Sequence, residues 1–499
     1  MAQQHGQLRQ KRLGPALAAL CGLMVLFGTA RCGNRTGPAL SAVAPTIRIG
    51  IGGLPQLTPQ AGLRQVIGNL SLEGLVRFYE NGRPSPWLAE AWTTAPDNLS
   101  LTLQLRRQAR FHDGTPVTAS IIVEALRQFL PTAMGPAFTD VEQILALDDR
   151  QVLIRLREPS RLLIEALETA IRKPGTADVG TGPYIGSATA TSAALKANAD
   201  YYLGRPTIDR VVLMPFPSLR TAWAELLRGN IDMLYEVNMD ALDSLQASSN
   251  VSVFSYLRHY QYVIVFGSRV ATLKPAAVRR GLNAAIDRDA IVRAALNGHG
   301  IPSTGPVPPK HWALGSEAPK LGFDRKLAAS LSQRQLRFTC LVPADSVYER
   351  IALLVKQQLA AVSVDMRIEE ATQDQIMQAA KSRNFEAILV DVVSGPSMFR
   401  SYRHLYTKVP FDLKPVGSPI IDSALDRIRH ARSDDEYRKG VAEFQRAVVN
   451  DPPELFLVWG ERARAVSRRF EVPATENGVD PTSLRLWRPA IDRRIAGQN

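Results

Sequence analysis

The stretch TIDRVVLMPFPSLRTAWAELLRGN, residues 207–230, sets the terms for the whole chain. Branched apolar residues suited to an extended strand pass, through Pro217, into a segment where Ala222, Leu226 and Leu227 recur at helical spacing, and Gly229 supplies the stop. The same change of period recurs throughout. Further strands read at TIRIGIGGL, YQYVIVF, LRFTCLV, VDMRIEEA and FEAILVDVV, and helices at PAAVRRGLNAAI, DRDAIVRAALNG, ERIALLVKQQLAAV and DSALDRIRHAR. Strands alternating with helices imply an α/β architecture with substantially parallel sheets. At 499 residues the chain is too long for one compact core and should divide into two or three domains.

The first thirty residues are of another kind. Arg9, Lys11 and Arg12 precede an apolar run over residues 15–27, and the small residues of GTARC follow, the pattern of an export signal. The run is short for a membrane-spanning helix. The mature protein therefore reads as exported, periplasmic or lipid-anchored to the outer face of the cell membrane. Cys32 is a candidate lipidation site, although Arg31 stands where a lipobox has a small residue, and cleavage after Ala30 is the competing reading. Cys340, within LRFTCLV, reads as a small buried apolar residue, and CxxC spacing is absent. The formal net charge is +13, with cations spread through LRRQAR, VRRGLNAAIDR, IRHAR and SRRFEV and no interleaved aromatics. That argues against nucleic acid and for a solvated basic surface, with an acidic ligand as the alternative.

The segment LTLQLRRQARFHDGTPVTAS poses the question of chemistry directly. Leu99, Leu101, Leu103 and Leu105 alternate with polar residues as in a half-buried strand, and a helix begins near Ser120. Between them stand His112 and Asp113. Asp113-Gly114 is a turn signal, Thr118 a candidate N-cap, and no further His, Cys or Glu at ligand spacing completes a catalytic or metal group, so a structural corner is expected. Gly50, Gly52 and Gly53 do not make a dinucleotide site, because Pro55 and Pro59 interrupt the helix that would have to follow. HExxH, GxSxG, phosphate-loop and calcium-loop patterns are absent. The pairs Glu369-Glu370 and Asp434-Asp435 read as exposed.

Several segments taken in order resemble one family. They are LEGLVRFYENGRPSPWLAEAW, LSLTLQLRRQARFHDGTPVTAS, GTGPY, NADYYLGRPTIDRVVLMPF with LLRGNID, VRRGLNAAIDRDAIVRAALNGHGIPSTGPVPP, and FDRKLAASL. Together they resemble the extracytoplasmic solute-binding proteins of the oligopeptide, dipeptide and nickel class, solute-binding protein family 5. The resemblance implies a two-lobed, periplasmic-binding-protein-like (type II) α/β fold with an extra domain inserted in the first lobe. The expected organisation is a signal peptide at 1–31, a tether at 32–45, the first lobe at 46–75, 179–265 and 459–499, the inserted domain at 76–178, and the second lobe at 266–458. Such a protein serves an ABC permease and ATPase complex as a monomer, without a cofactor, capturing a peptide or peptide-like small molecule by hinge closure.

The chain departs from the family near the ligand. Many peptide-binding relatives carry a motif close to WxxDYxDP after the strand that corresponds to FEAILVDVV, whereas this chain reads VDVVSGPSMFRSY. Either Asp391 with Ser394 takes the ammonium-anchoring role or the anchor is absent, and acidic or opine-like ligands then compete with α-peptides. The topology points to Tyr260 and Tyr262 at the first hinge, Asp391 and Ser394 in the loop, and Trp459 at the second hinge as ligand-binding residues. A secreted hydrolase, resting on His112-Asp113 and the cleft, and a ligand-sensing receptor are the competing functions.

Overall fold

Two long strands, Val251–Phe266 and Glu454–Ser467, run antiparallel side by side through the middle of an 11-stranded sheet. The computed structural model describes residues 45–52, 59–186, 193–237, 239–410, 412–473 and 481–490. The expected signal peptide with Cys32 lies outside these residues, as does the tether except for Pro45.

On one flank of the crossing pair, Met233–Val237, Thr46–Gly52 and Arg210–Phe216 pair in parallel. On the other, Ala387–Val393, Arg337–Pro343 and Asp365–Ala371 do the same. The crossing strands are antiparallel to both neighbours, so the sheet is mixed rather than substantially parallel. Hydrophobic periodicity marks a strand but carries no information on the direction of its partner. Each parallel set is backed by helices. Ser346–Ala360 buries Val347, Ile351 and Val355 against one set, and Leu219–Leu227 buries Ala222 and Leu226 against the other. The latter helix ends at Gly229, which has φ +76°, as its sequence position suggested.

A separate antiparallel sheet holds Ala89–Thr94, Ser100–Leu105, Gln151–Leu156 and Val141–Ala146 in that order. Leu101, Leu103 and Leu105 face its core, while Leu99 lies just outside the strand and is exposed. Thr118 caps the Ala119–Met134 helix by accepting from the Ile121 amide. The His112-Asp113 pair is indeed a corner. The His112 amide donates to the Gly180 carbonyl at 2.9 Å, and its Nε2 lies 3.0 Å from the Gly182 carbonyl, which can only accept, so Nε2 carries the proton. Asp113 is ion-paired to Lys173 and accepts from the Thr115 amide, and Gly114 takes φ +84°. Cys340 is fully buried, and burial pushes its thiol up to about 12.

Two buried polar groups organise the surrounding segments. Glu73 accepts from Thr181 at 2.8 Å, from Tyr202 at 3.1 Å and from the Tyr201 hydroxyl, so LEGL, GTGPY and NADYYLG meet at one carboxylate. Arg288 donates to the Phe456 carbonyl at 2.8 Å, and Asn283 donates to the Glu454 carbonyl at 3.0 Å and accepts from the Phe456 amide. Through these bonds the VRRGLNAAIDRDAI segment holds the start of the second crossing strand.

Burial raises the Glu73 carboxyl from its ordinary 4.5 to about 7, against the hydroxyls that pull it down. The folded chain then binds this proton more tightly than the unfolded one. The group's contribution to stability is fully present below pH 4.5 and is lost as pH rises towards 7. Glu73→Gln should therefore reduce the change in unfolding free energy across that window by up to about 3 kcal/mol, read from urea titrations at its two ends. An undiminished dependence on pH would contradict this.

Candidate functional site at the strand crossing

The register fixes where the parallel strands end. Ala387–Val393 runs antiparallel to the first crossing strand from Phe266 towards Tyr260, and Met233–Val237 runs antiparallel to the second from Val466 towards Ala463. Both sets therefore point their carboxyl ends at the same place, the crossing near residues 257–261 and 459–462, where the ladder shifts register. Ligands of open α/β sheets bind outside the carboxyl ends of the strands.

Direct partners in an antiparallel ladder share a face. Tyr262 pairs with Asp391 and Tyr260 with Val393, which places Tyr260, Tyr262 and Asp391 on one face. Gln261 pairs with Trp459 and so belongs to the opposite face, where it donates to Ser303 and, at 2.8 Å, to the Gly305 carbonyl. Trp459 is buried to 1% exposure and also pairs with Ile301. Ser394 follows directly at the strand end and is buried, its hydroxyl 3.4 Å from the Val392 carbonyl. The ladder thus brings three of the five predicted residues, Tyr260, Tyr262 and Asp391, onto one face, leaves Ser394 buried beyond the strand end, and turns Trp459 to the opposite face.

The Tyr262 face continues across the crossing with side chains that the sequence analysis did not select. Arg462 pairs with Tyr256 and Arg464 with Phe254. Arg462 donates to the Tyr262 hydroxyl at 2.7 Å and lies 3.2 Å from Glu236, both members of that ion pair being only 8% exposed. Arg464 lies between two rings, 5.2 Å from the Tyr235 centroid and 4.8 Å from that of Tyr256. Burial pushes the Tyr235 phenol up to about 12, against the opposing pull of Arg464. The visible signal was ERARA: arginines at alternate positions, separated by alanine, inside an otherwise apolar strand. Alternate positions of a strand share a face, so two buried cations were being aimed at one surface.

This floor combines guanidinium donors, carboxylate acceptors and aromatic faces, the means to orient a polar solute. The half-buried His112 and the exposed Asp113 take no part in it. Among the described residues no helix is long and apolar enough to cross a membrane.

Residues 83–409 match the family described as bacterial extracellular solute-binding proteins, family 5 Middle, and the chain belongs to that family. Heme-binding protein A of Haemophilus influenzae is 25% identical over 287 residues, 49% of this chain, and the chain spans only about half, 52%, of that relative. A probable D,D-dipeptide-binding periplasmic protein of Escherichia coli (strain K12) is 22% identical over 402 residues, covering 74% of this chain and 78% of the relative. The crystal structure of NikZ from Campylobacter jejuni in complex with Ni(L-His) superposes with a TM-score of 0.77 at 20% identity, covering 89% of this chain and 99% of that one. The two-lobed fold expected from the sequence is therefore the observed one.

The pairing of Arg462 with Glu236 gives a direct test of the floor. Arg462→Ala leaves a buried carboxylate without its cation and should destabilise the chain by about 3 kcal/mol, whereas adding Glu236→Ala to it should restore at least about 1 kcal/mol. Equal and additive losses in denaturant titrations would show that the pair is not coupled.

Proposed function

We propose that the chain is the extracytoplasmic solute-binding subunit of an ABC-type importer and captures a peptide or peptide-like small molecule between its lobes by hinge closure. The observation that carries this reading is the convergence of both parallel strand sets on one crossing, floored by Tyr262, Asp391, Arg462 and Arg464. The two connecting strands can bend where their ladder shifts register, so each half supplies part of the contact surface and a solute touching both favours the closed state. In this reading Asp391 and Ser394 face the solute's ammonium or amide groups, Arg462 and Arg464 face its carboxylate or carbonyl groups, and Tyr260 and Tyr262 pack on its apolar parts. Trp459 stiffens the second connection from the far face. An anchoring role for Cys32 and export through residues 1–31 belong to the same proposal, as does action as a monomer.

Thermal unfolding in the presence of a panel of di- and tripeptides, opines and metal–histidine complexes tests the proposal. One class should raise the midpoint in proportion to the logarithm of its concentration, because it binds the folded state alone. Asp391→Asn combined with Arg462→Met should abolish that rise, while the surface change Arg367→Ala should leave it intact. Rises that persist undiminished in the double variant would contradict the assignment of the floor.

A further inference from the structure

The inserted domain touches both halves of the molecule, and its second contact lies close to the solute loop. Glu73, just before the domain, and His112, within it, bond the 180–202 segments. From its other side, Glu165 on the Arg161–Ala166 helix reaches the second lobe. One carboxylate oxygen accepts from the Tyr437 hydroxyl at 2.7 Å, and the other accepts from the Phe399 amide at 2.6 Å. Phe399 lies in the first turn of the Met398–Leu405 helix, whose N-cap, Ser397, makes no side-chain capping bond. That helix begins immediately after residues 394–397, which leave the end of Ala387–Val393 at the crossing. Glu165 is 6% exposed, so it sits in a closed junction rather than on a surface. Flanking contacts make the same bridge: Asp140 to Arg429, Arg83 and Arg161 to Asp434, and Glu168 to Arg400 at 3.1 Å.

We propose that Glu165 is a positioning residue for the solute loop: by capping the Met398–Leu405 helix from the inserted domain, it links docking of that domain on the second lobe to the shape of residues 394–397. The proposal rests on the reading that this loop meets the solute. A carboxyl group is a fitting acceptor, since the first amides of a helix have no internal partners and a carboxyl oxygen accepts from the Phe399 amide whether or not the group is ionised. Opening the lobes would expose Glu165 and uncap the helix together, so the loop would be ordered only when the domain is docked.

The same geometry gives the junction a dependence on pH. Burial raises the Glu165 carboxyl from 4.5 to about 7, with the charge of Glu168 acting in the same direction and the Tyr437 and Phe399 donors opposing. The other charged groups here are paired: Glu168 with Arg400, and Asp434 with Arg83 and Arg161. His311, stacked on Tyr437, is held down to about 4 by burial and by Arg83, below the window in which Glu165 titrates. The docked form binds the Glu165 proton more tightly than an undocked, solvated form, so docking is strongest below pH 4.5 and weakens as pH rises through 7.

Hydrogen–deuterium exchange on the full chain without added solute, corrected for intrinsic rates, tests this independently of any ligand. At pH 8, Glu165→Ala should speed exchange of the Phe399 amide and of residues 394–405 by about tenfold, leaving Arg337–Pro343 protected. Glu165→Gln keeps a carbonyl acceptor and should retain protection while losing the pH dependence that the native chain shows between pH 5 and 8. Native protection of residues 394–405 in the alanine variant, or an unchanged pH dependence in the glutamine variant, overturns the proposal. Should the alanine variant lose protection everywhere, Tyr437→Phe decides. It keeps the ring stacked on Trp312 and removes one donor. Faster exchange confined to residues 394–405 supports the proposal, and none overturns it. Failure of the importer reading would show instead as the absence of any stabilising solute with the exchange pattern intact.

Discussion

Everything at the site follows from the direction of two strands. Because Val251–Phe266 and Glu454–Ser467 run antiparallel through the centre of the sheet, each parallel set that pairs with them must point its carboxyl ends at the crossing. Had either neighbour paired in parallel, one set of loops would have opened on the far end of its lobe. The crossing is also where the ladder breaks register, which removes backbone bonds from the place where the proposed closure pivots the halves. Geometry of contact and freedom of motion thus share a single origin.

The buried charges are arranged around that crossing at some cost. Taking Arg462, Glu236 and Asp391 out of water is unfavourable by several kcal/mol for each ion unless partners compensate. For Arg462 and Glu236 the chain meets this with their ion pair and the Tyr262 hydroxyl, and Arg464 beside them lies against aromatic faces. A surface prepared in this way needs little rearrangement to receive a polar solute, and preorganisation of that kind favours tight binding. The inserted domain extends the principle to the loop side. It lies beside Glu73 on one side and meets the Met398–Leu405 and Pro419–Arg429 helices through Glu165 and Asp140, and in the proposed coupling it braces the segment that leaves the Ala387–Val393 strand at the crossing.

What the sequence showed was what is local. The alternation of Leu101, Leu103 and Leu105, the Asp113-Gly114 turn, the Thr118 cap and the Gly229 stop are each decided within a few residues, and the structure agrees with all of them. Long-range polar pairings were not visible. Glu73 meets Thr181 across 108 positions and Glu165 meets Phe399 across 234, and no periodicity reports such partners. Tyr262, Asp391 and Trp459 were all chosen from topology; the first two do share a face, whereas pairing with Gln261 turns Trp459 the other way, because topology locates a strand at the crossing but not which face a given residue takes. Arg462 and Arg464 were passed over because cations in a basic chain read as solvated surface, although their alternate spacing already gave them a common face. Asp434, read as exposed, holds Arg83 and Arg161 from the other side of the lobe junction.

The most direct measurement is a crystal structure of the chain bound to the solute that it retains through purification. The account predicts density lying on the Tyr262, Asp391, Arg462 and Arg464 surface, enclosed by residues from both halves, with the crossing strands bent relative to a solute-free crystal. A solute bound elsewhere, for example in the hollow lined by Arg110, His112 and Lys196, with the crossing left uncovered and the two crystals identical there, would contradict it.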